Sequence, residues 1–338
     1  MTRESNRRGS EKRIRRIVYL SFSVSLLLFY SAAARAQESR LSVALTGGIY
    51  QPSLRTLNRI LGDPSQGILQ DPNYLLPRNR LLPAEVRNIV SPKIEGKTNY
   101  GLEAQWEATD DFSLVATLSI WQGESIASDT ITMFIRQDLP PVQAPRSARY
   151  NVSISQIWLG WKYNVLRDPE RGRLFVNVGL AGVSLADLSL DTLFKINTPD
   201  QSFASSSSVE ARGFAYTTRL GLGGEYFLTS WLSVGFNVNY VIGTVSKLKV
   251  ERNFRQNFSD IPVPPAEALQ PPGVPVPEQG ETIRYATVES VNITDFCDPP
   301  APTGANVAQF GTCAPGAGQT LKLELNGLQM GAALRFYF

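Results

Sequence analysis

The chain contains no histidine. That absence removes every imidazole general base, every His-ligated metal and the usual side-chain switch near neutral pH. It has two cysteines, Cys297 and Cys313, too few for a four-cysteine zinc site. Charge is sparse as well, at 19% of the residues, below the usual quarter. Long apolar runs are missing. The best of them, Ile17–Tyr30, is mostly apolar over 14 residues and falls short of the roughly 20 that a spanning helix needs. What remains is 43% apolar, which excludes wholesale disorder. With 26 Gly, 22 Pro and 10% aromatics, the 338 residues suit strands and loops better than helical bundles.

The first 36 residues read as an export signal. Arg7, Arg8, Lys12, Arg13, Arg15 and Arg16 form a basic start, Ile17–Tyr30 an apolar centre, and Ala34-Arg35-Ala36 a small-x-small cleavage pattern. Residues 1–36 are therefore expected to be removed after Ala36, leaving 37–338 as the mature domain. The segment holds eight Lys/Arg and two Asp/Glu, so of the chain's 33 and 30 the mature part keeps 25 and 28. Its net charge is then −3. The basic pI belongs largely to the leader, and no basic patch or nucleic-acid motif is present.

Period-2 alternation dominates the rest, the mark of strands with one apolar face. Leu232, Val234, Phe236, Val238, Tyr240 and Ile242 oppose Ser233, Gly235, Asn237 and Asn239. Phe214, Tyr216, Leu220, Leu222, Tyr226 and Leu228 oppose Thr217, Arg219, Gly221, Gly223 and Glu225. Similar stretches occur at Leu41–Tyr50, Tyr100–Glu107, Phe112–Ile120, Gln156–Val165, Leu174–Leu185 and Leu321–Phe338, the last with a phase slip at Asn326-Gly327 that reads as a bulge. That makes eight strands. Their connections alternate strictly between short turns and long loops, the long ones at about 51–98, 123–149, 186–212 and 244–320. The pattern predicts an all-β, eight-stranded antiparallel up-and-down barrel with all its long loops at one end.

The polar faces decide which side is greasy. They are rich in Gly, Ser, Thr, Asn and Gln, with few, balanced charges: Glu103, Glu107 and Glu225 against Lys162, Arg219 and Arg335. A water-facing surface would carry many more Lys and Glu, whereas a narrow lumen needs small side chains and paired ions. These six residues are expected to form a salt-bridged lumen network. Aromatics sort into two levels, Trp106, Trp161, Tyr163 and Tyr226 near the short turns and Tyr100, Phe214, Tyr216 and Tyr240 toward the other end, as the two interfaces of a bilayer require.

Met330, Ala332, Leu334, Phe336 and Phe338 alternate up to a terminal Phe. This run resembles the signal by which the barrel-assembly machinery recognises outer-membrane proteins. The mature chain as a whole is similar to the small eight-stranded outer-membrane barrels of the OmpA, OmpX and OmpW type. It departs from OmpA in lacking a soluble periplasmic domain, and from OmpX in the length of its first and fourth loops. The resemblance implies insertion into the bacterial outer membrane, with Met330, Leu334, Phe336 and Phe338 as assembly signal.

The loops carry their own features. The fourth holds half the prolines. Export makes a Cys297–Cys313 disulfide the expectation, contributing roughly 3 kcal/mol by constraining the loop. Thr130–Arg136 and Thr282–Ser290 alternate as strands do and are expected to extend hairpins past the membrane; a ten-stranded barrel would use one such pair. In the first loop Ser53 is placed to cap a helix with Leu54, Leu57, Ile60 and Leu61 on one face and Gly62 at its end. Asp110-Asp111 reads as a tight turn, not a calcium site, and Ser205–Ser208 as a loop tip.

Three functions compete. A non-enzymatic surface barrel, acting in surface interaction or envelope structure, accounts for the mass of the loops. An OmpW-like conduit for small or apolar molecules is the alternative, weakened by the filled interior of eight-stranded barrels. Catalysis ranks last, because the small-barrel enzymes of similar build, omptin-type proteases, lipid A deacylases, palmitoyltransferases and the outer-membrane phospholipase, depend on His. No cofactor or metal is expected. The expected partners are outer-membrane lipid, the assembly machinery and an extracellular ligand held by the loops, with no nucleic acid.

Overall fold

A computed structural model describes residues 41–71, 88–133, 140–168, 171–197, 202–259, 279–287 and 318–338. Residues 1–36, the prolines at 262–277, and Cys297 and Cys313 with their expected disulfide lie outside these described residues.

Eight strands close into a ring. They are β1 (Leu41–Pro52), β3 (Lys97–Glu107), β4 (Phe112–Met133), β5 (Val142–Asp168), β6 (Gly172–Asn197), β7 (Ser202–Thr229), β8 (Leu232–Val245) and β13 (Gly327–Tyr337). Each pairs antiparallel with the next, β8 pairs with both β7 and β13, and β13 returns to β1. Closure leaves this ring no free edge, the condition for a sheet that meets hydrocarbon. The slip at Asn326-Gly327 is a break between β12 (Leu323–Glu324) and β13, bridged where Asn326 Oδ1 accepts from the Gly243 N–H at 2.8 Å.

Along β7 and β8, lipid-type side chains point outward. Val234, Phe236 and Leu222 are 40%, 56% and 59% exposed. On β6 the outward phase slips at a bulge between Gly179 and Gly182, so that Val176 and Val178 below and Val183 and Leu185 above face the same way. Gly182 is required there: a Cβ would meet the Trp158 ring at 2.5 Å.

Two of the expected loops are largely strand. Most of 123–149 belongs to the paired ends of β4 and β5, from Gly123↔Val152 to Met133↔Val142. Most of 186–212 belongs to β6 and β7, from Ala186↔Gly213 to Asn197↔Ser202. Ser205–Ser208 is no loop tip: these residues pair with Asp191–Phe194 on one side and with β9 (Lys249–Ser259) on the other. Thr130–Met133 lengthens the β4–β5 hairpin, as its alternation suggests. The described part of the Thr282–Ser290 stretch touches the barrel sheet at one antiparallel bridge, Thr282 to Lys249 of β9. It gives β10 (Arg284–Thr287), which joins β2 (Gln66–Ile68) and β11 (Gln319–Thr320) in a separate three-stranded sheet.

These extensions reverse the polarity of the wall. Ile120, Ser155, Leu185 and Phe214 form one row across β4–β7. One outward row beyond lie Gln122, Ser153, Asp187 and Arg212, and the next holds Glu124, Asn151, Ser189 and Glu210. The inward rows change in the opposite sense. Ser119, Gln156 and Ser184 sit below, while Trp121, Ile154 and Ala186 and then Val152, Leu188 and Ala211 lie above and are buried. The lower barrel is apolar outside; the upper barrel is apolar inside, like a water-soluble one.

A helix fills the upper interior. α1 (Arg55–Gly62) buries Leu57, Ile60 and Leu61, with Leu54 just before it, in one cluster with Tyr50, Trp121, Tyr150, Val152, Ile154 and Trp158. The expected apolar face is therefore the docking face. Ser53 is not its cap. The capping position falls on Leu54, in the left-handed region at φ 40° with no side-chain cap of its own. Glu324 of β12 caps the helix from across the fold instead, accepting from the Thr56 N–H at 3.0 Å and Thr56 Oγ1 at 2.5 Å. A carboxylate there meets both the unsatisfied N–H groups and the positive end of the helix dipole.

Candidate functional site

The inward residues of the lower barrel come from alternate positions of several strands. β3 supplies Glu103, Gln105 and Glu107, β5 Lys162, β6 Arg173, β7 Arg219 and Glu225, and β13 Arg335 and Tyr337. Five of the six expected network residues meet in a chain of alternating sign. Lys162 and Arg335 both contact the Glu103 carboxylate. Arg335 Nε reaches Glu225 at 3.2 Å. Arg173 Nε holds the other Glu225 oxygen at 2.8 Å, and its Nη1 holds Glu107 at 2.5 Å.

Hydrogen bonds occupy the remaining valences. Ser233 and Tyr337 hydroxyls donate to Glu225, Lys162 donates to Gln105 Oε1 at 3.3 Å, Arg335 to Ser42 Oγ at 3.0 Å, and Arg173 to the Tyr337 oxygen at 2.7 Å. Lys162 also lies 4.6 Å over the Phe175 ring. Taking ions out of water is expensive unless the geometry is this complete; removing one partner of such a pair costs about 3–5 kcal/mol.

The sixth residue stands apart. Arg219 donates to Thr117 Oγ1 at 2.9 Å and lies 5.4 Å over the Trp158 ring, with no carboxylate within ion-pair distance among the described residues. Sequence reading misses Arg173, which links Glu225 and Glu107, because it stands just before the alternating stretch that begins at Leu174. Its phase with Asn177, opposite Leu174 and Val176, is the signal that marks it. Tyr337 was missed because the terminal run reads as an apolar alternation in which it is the polar-side residue.

Above this network Gln156 donates to Ser184 Oγ at 3.3 Å, and Ser184 meets Thr217 at 3.0 Å. The apolar cluster around α1 follows. Among the described residues no group of three or more metal-type ligands converges.

The aromatic residues read as girdle lie on the outer wall. Trp106, Tyr163 and Tyr226 are exposed toward the short turns, and Tyr100, Phe214, Tyr216 and Tyr240 are exposed toward the other end. Trp161 is half-buried, stacked on Phe112 at 6.0 Å. Met330 and Leu334 face outward with them. The terminal Phe338 is pinned by its N–H to the Leu41 carbonyl at 3.1 Å.

Outside the upper wall is a polar depression of about 530 Å³, lined by Lys97, Glu124, Asp187, Glu210, Arg212 and Glu251 among others. Arg212 bridges Asp187 at 2.5 Å and Glu251 at 3.1 Å. The Asp187 hydrogen bond, first, holds its guanidinium above the ordinary value. On the inner side of the same wall, burial pushes the Tyr150 phenol well above its usual range.

The closed ring, its greasy lower exterior and its ion-paired centre define the class: an eight-stranded transmembrane barrel of the outer-membrane type. No protein-family model matches the chain, and no curated protein sequence does. Solved structures similar to it include the outer membrane protein OprG from Pseudomonas aeruginosa, at 9% identity over 90% of this chain and 98% of that one, TM-score 0.34. Acinetobacter baumannii CarO aligns at 11% identity over 71% and 92%, TM-score 0.28. Ail, the attachment invasion locus protein of Yersinia pestis, solved with the heparin analogue sucrose octasulfate, aligns at 10% identity over 88% and 99%, TM-score 0.26.

Proposed function

We propose that the protein is a sealed outer-membrane anchor whose strands carry a rigid β-platform above the cell surface, acting in surface interaction or envelope structure. The observation that carries this reading is the filling of the interior at successive heights. The alternating ion chain occupies the short-turn end, the Gln156–Ser184–Thr217 bonds the middle, and the α1 cluster the top. Over the same length the outer wall becomes polar and charged and encloses the 530 Å³ depression, a surface suited to a hydrated ligand. The role is non-catalytic: Glu103, Glu107 and Glu225 are each engaged by cations. Export by removal of residues 1–36, and recognition by the assembly machinery through Met330, Leu334, Phe336 and Phe338, belong to the same proposal.

Recording from purified protein in planar bilayers tests it. The sealed lumen predicts membranes that stay silent under an applied potential. Reproducible conductance steps would overturn it in favour of the conduit, which the filled interior does not support.

A further inference from the structure

Arg219 forms no ion pair among the described residues, and the carboxylate that attracts it, Glu103, already holds Lys162 and Arg335. Arg219 is 8% exposed and sits at membrane height, between the ion chain and the apolar plug. Among the described residues the lower lumen holds four cations, Lys162, Arg173, Arg219 and Arg335, against three carboxylates, Glu103, Glu107 and Glu225. Lys162, Arg173 and Arg335 consume all three carboxylates. The surplus positive charge is therefore localised on Arg219, whose Nε is buried without a hydrogen-bond partner. A lone buried ion is strongly unfavourable, and a neutral water relieves its hydrogen bonding but not its charge.

A small cavity of about 20 Å³ opens beside it, lined by Asn99, Thr117, Ser119, Asn239 and Gln329 as well as Arg219. The side-chain oxygens of Asn99, Asn239 and Gln329 are buried there without partners. A half-turn of the Asn99 and Gln329 amides exchanges that oxygen for an NH₂ donor, while Asn239 Nδ2 already donates to Asn237 Oδ1 at 3.2 Å. The volume admits one water-sized or monatomic guest and excludes phosphate or sulfate. Glu103 also lines the cavity, but Lys162 and Arg335 neutralise it.

We propose that this is an internal site for a single monatomic anion, chloride in a saline medium, bound by the Arg219 guanidinium and the surrounding amides and hydroxyls. It is independent of the surface role.

The direct test is crystallisation of the intact folded barrel with bromide replacing chloride. An anomalous bromide peak against Arg219 is expected. Water alone in the cavity, or no peak, would overturn the site. In parallel, the heat-unfolding midpoint of the folded protein is compared in sodium bromide, chloride and gluconate at equal ionic strength. The halides should raise it, and the rise should grow with halide concentration as mass action requires. Arg219→Met should lose that dependence. Equal midpoints in all three salts, or a halide effect that persists in Arg219→Met, would contradict the proposal. Should that variant fail to fold, the wild-type bromide map still decides.

Discussion

The same four strands live in two solvents. Below the row Ile120–Ser155–Leu185–Phe214, β4–β7 turn Leu118, Ile157, Val183 and Tyr216 outward and Thr117, Gln156, Ser184 and Thr217 inward. Above it they turn Gln122, Ser153, Asp187 and Arg212 outward and Trp121, Ile154, Ala186 and Gly213 inward. The backbone does not change, since pairing runs on through the row. Only the assignment of polar and apolar residues to the two faces changes. Alternation therefore reports that a segment is a strand, and the sense of the alternation reports which solvent touches each face.

The two halves also differ in how their interiors are held, and substitutions separate the mechanisms. The largest effect is expected in the lower half. Arg335→Met breaks the link between Glu103 and Glu225 and should destabilise by about 3–5 kcal/mol, read as a lowered urea midpoint in lipid vesicles. In the upper half Leu57→Ala leaves a cavity under α1 and should cost about 2–5 kcal/mol. Limited proteolysis should then show α1 cut earlier, while the lower barrel stays protected.

The outer faces sharpen the contrast. Phe236→Arg places a charge against hydrocarbon and should cost about 2–4 kcal/mol near the midplane. Ser153→Arg, one row above the boundary, should stay within about 0.5 kcal/mol as an ordinary surface change. Equal effects on folding yield and stability would erase the distinction between the halves. Among the destabilising changes the smallest effect should follow Glu324→Ala, which removes the cap of α1 at about 1 kcal/mol, seen as faster amide exchange confined to Leu54–Leu57.

The lower half was legible in the sequence because its pattern is complete within each strand. Phe236 and Leu222 alternate with small or polar residues, and the number of such stretches gives the barrel. The upper half was not read as barrel wall. Once the faces exchange roles, Leu188 and Leu190 fall out of phase with Val183 and Leu185 just before them, so the run reads as a loop. The helix face was legible from Leu54, Leu57, Ile60 and Leu61, which share one side. Its cap was not, because Glu324 comes from the other end of the chain and only tertiary pairing brings it to Thr56. The residues of the ion network were legible as inward charges, but their partnerships were not. Whether Glu225 meets Arg219, its neighbour on β7, or Arg173 on β6 depends on register and height, and the structure chooses Arg173.

The exchange of faces is tested most directly by methyl NMR of the folded protein in lipid nanodiscs, following contacts between side-chain methyls and lipid acyl chains. Leu159, Leu222 and Val234 should show acyl-chain cross-peaks. Val152, Leu188 and Val209, on the upper stretches of β5, β6 and β7, should show none and should instead contact Leu57 or one another. Acyl-chain contacts at Val152, Leu188 and Val209 would contradict the account, as would their absence at Leu222 and Val234.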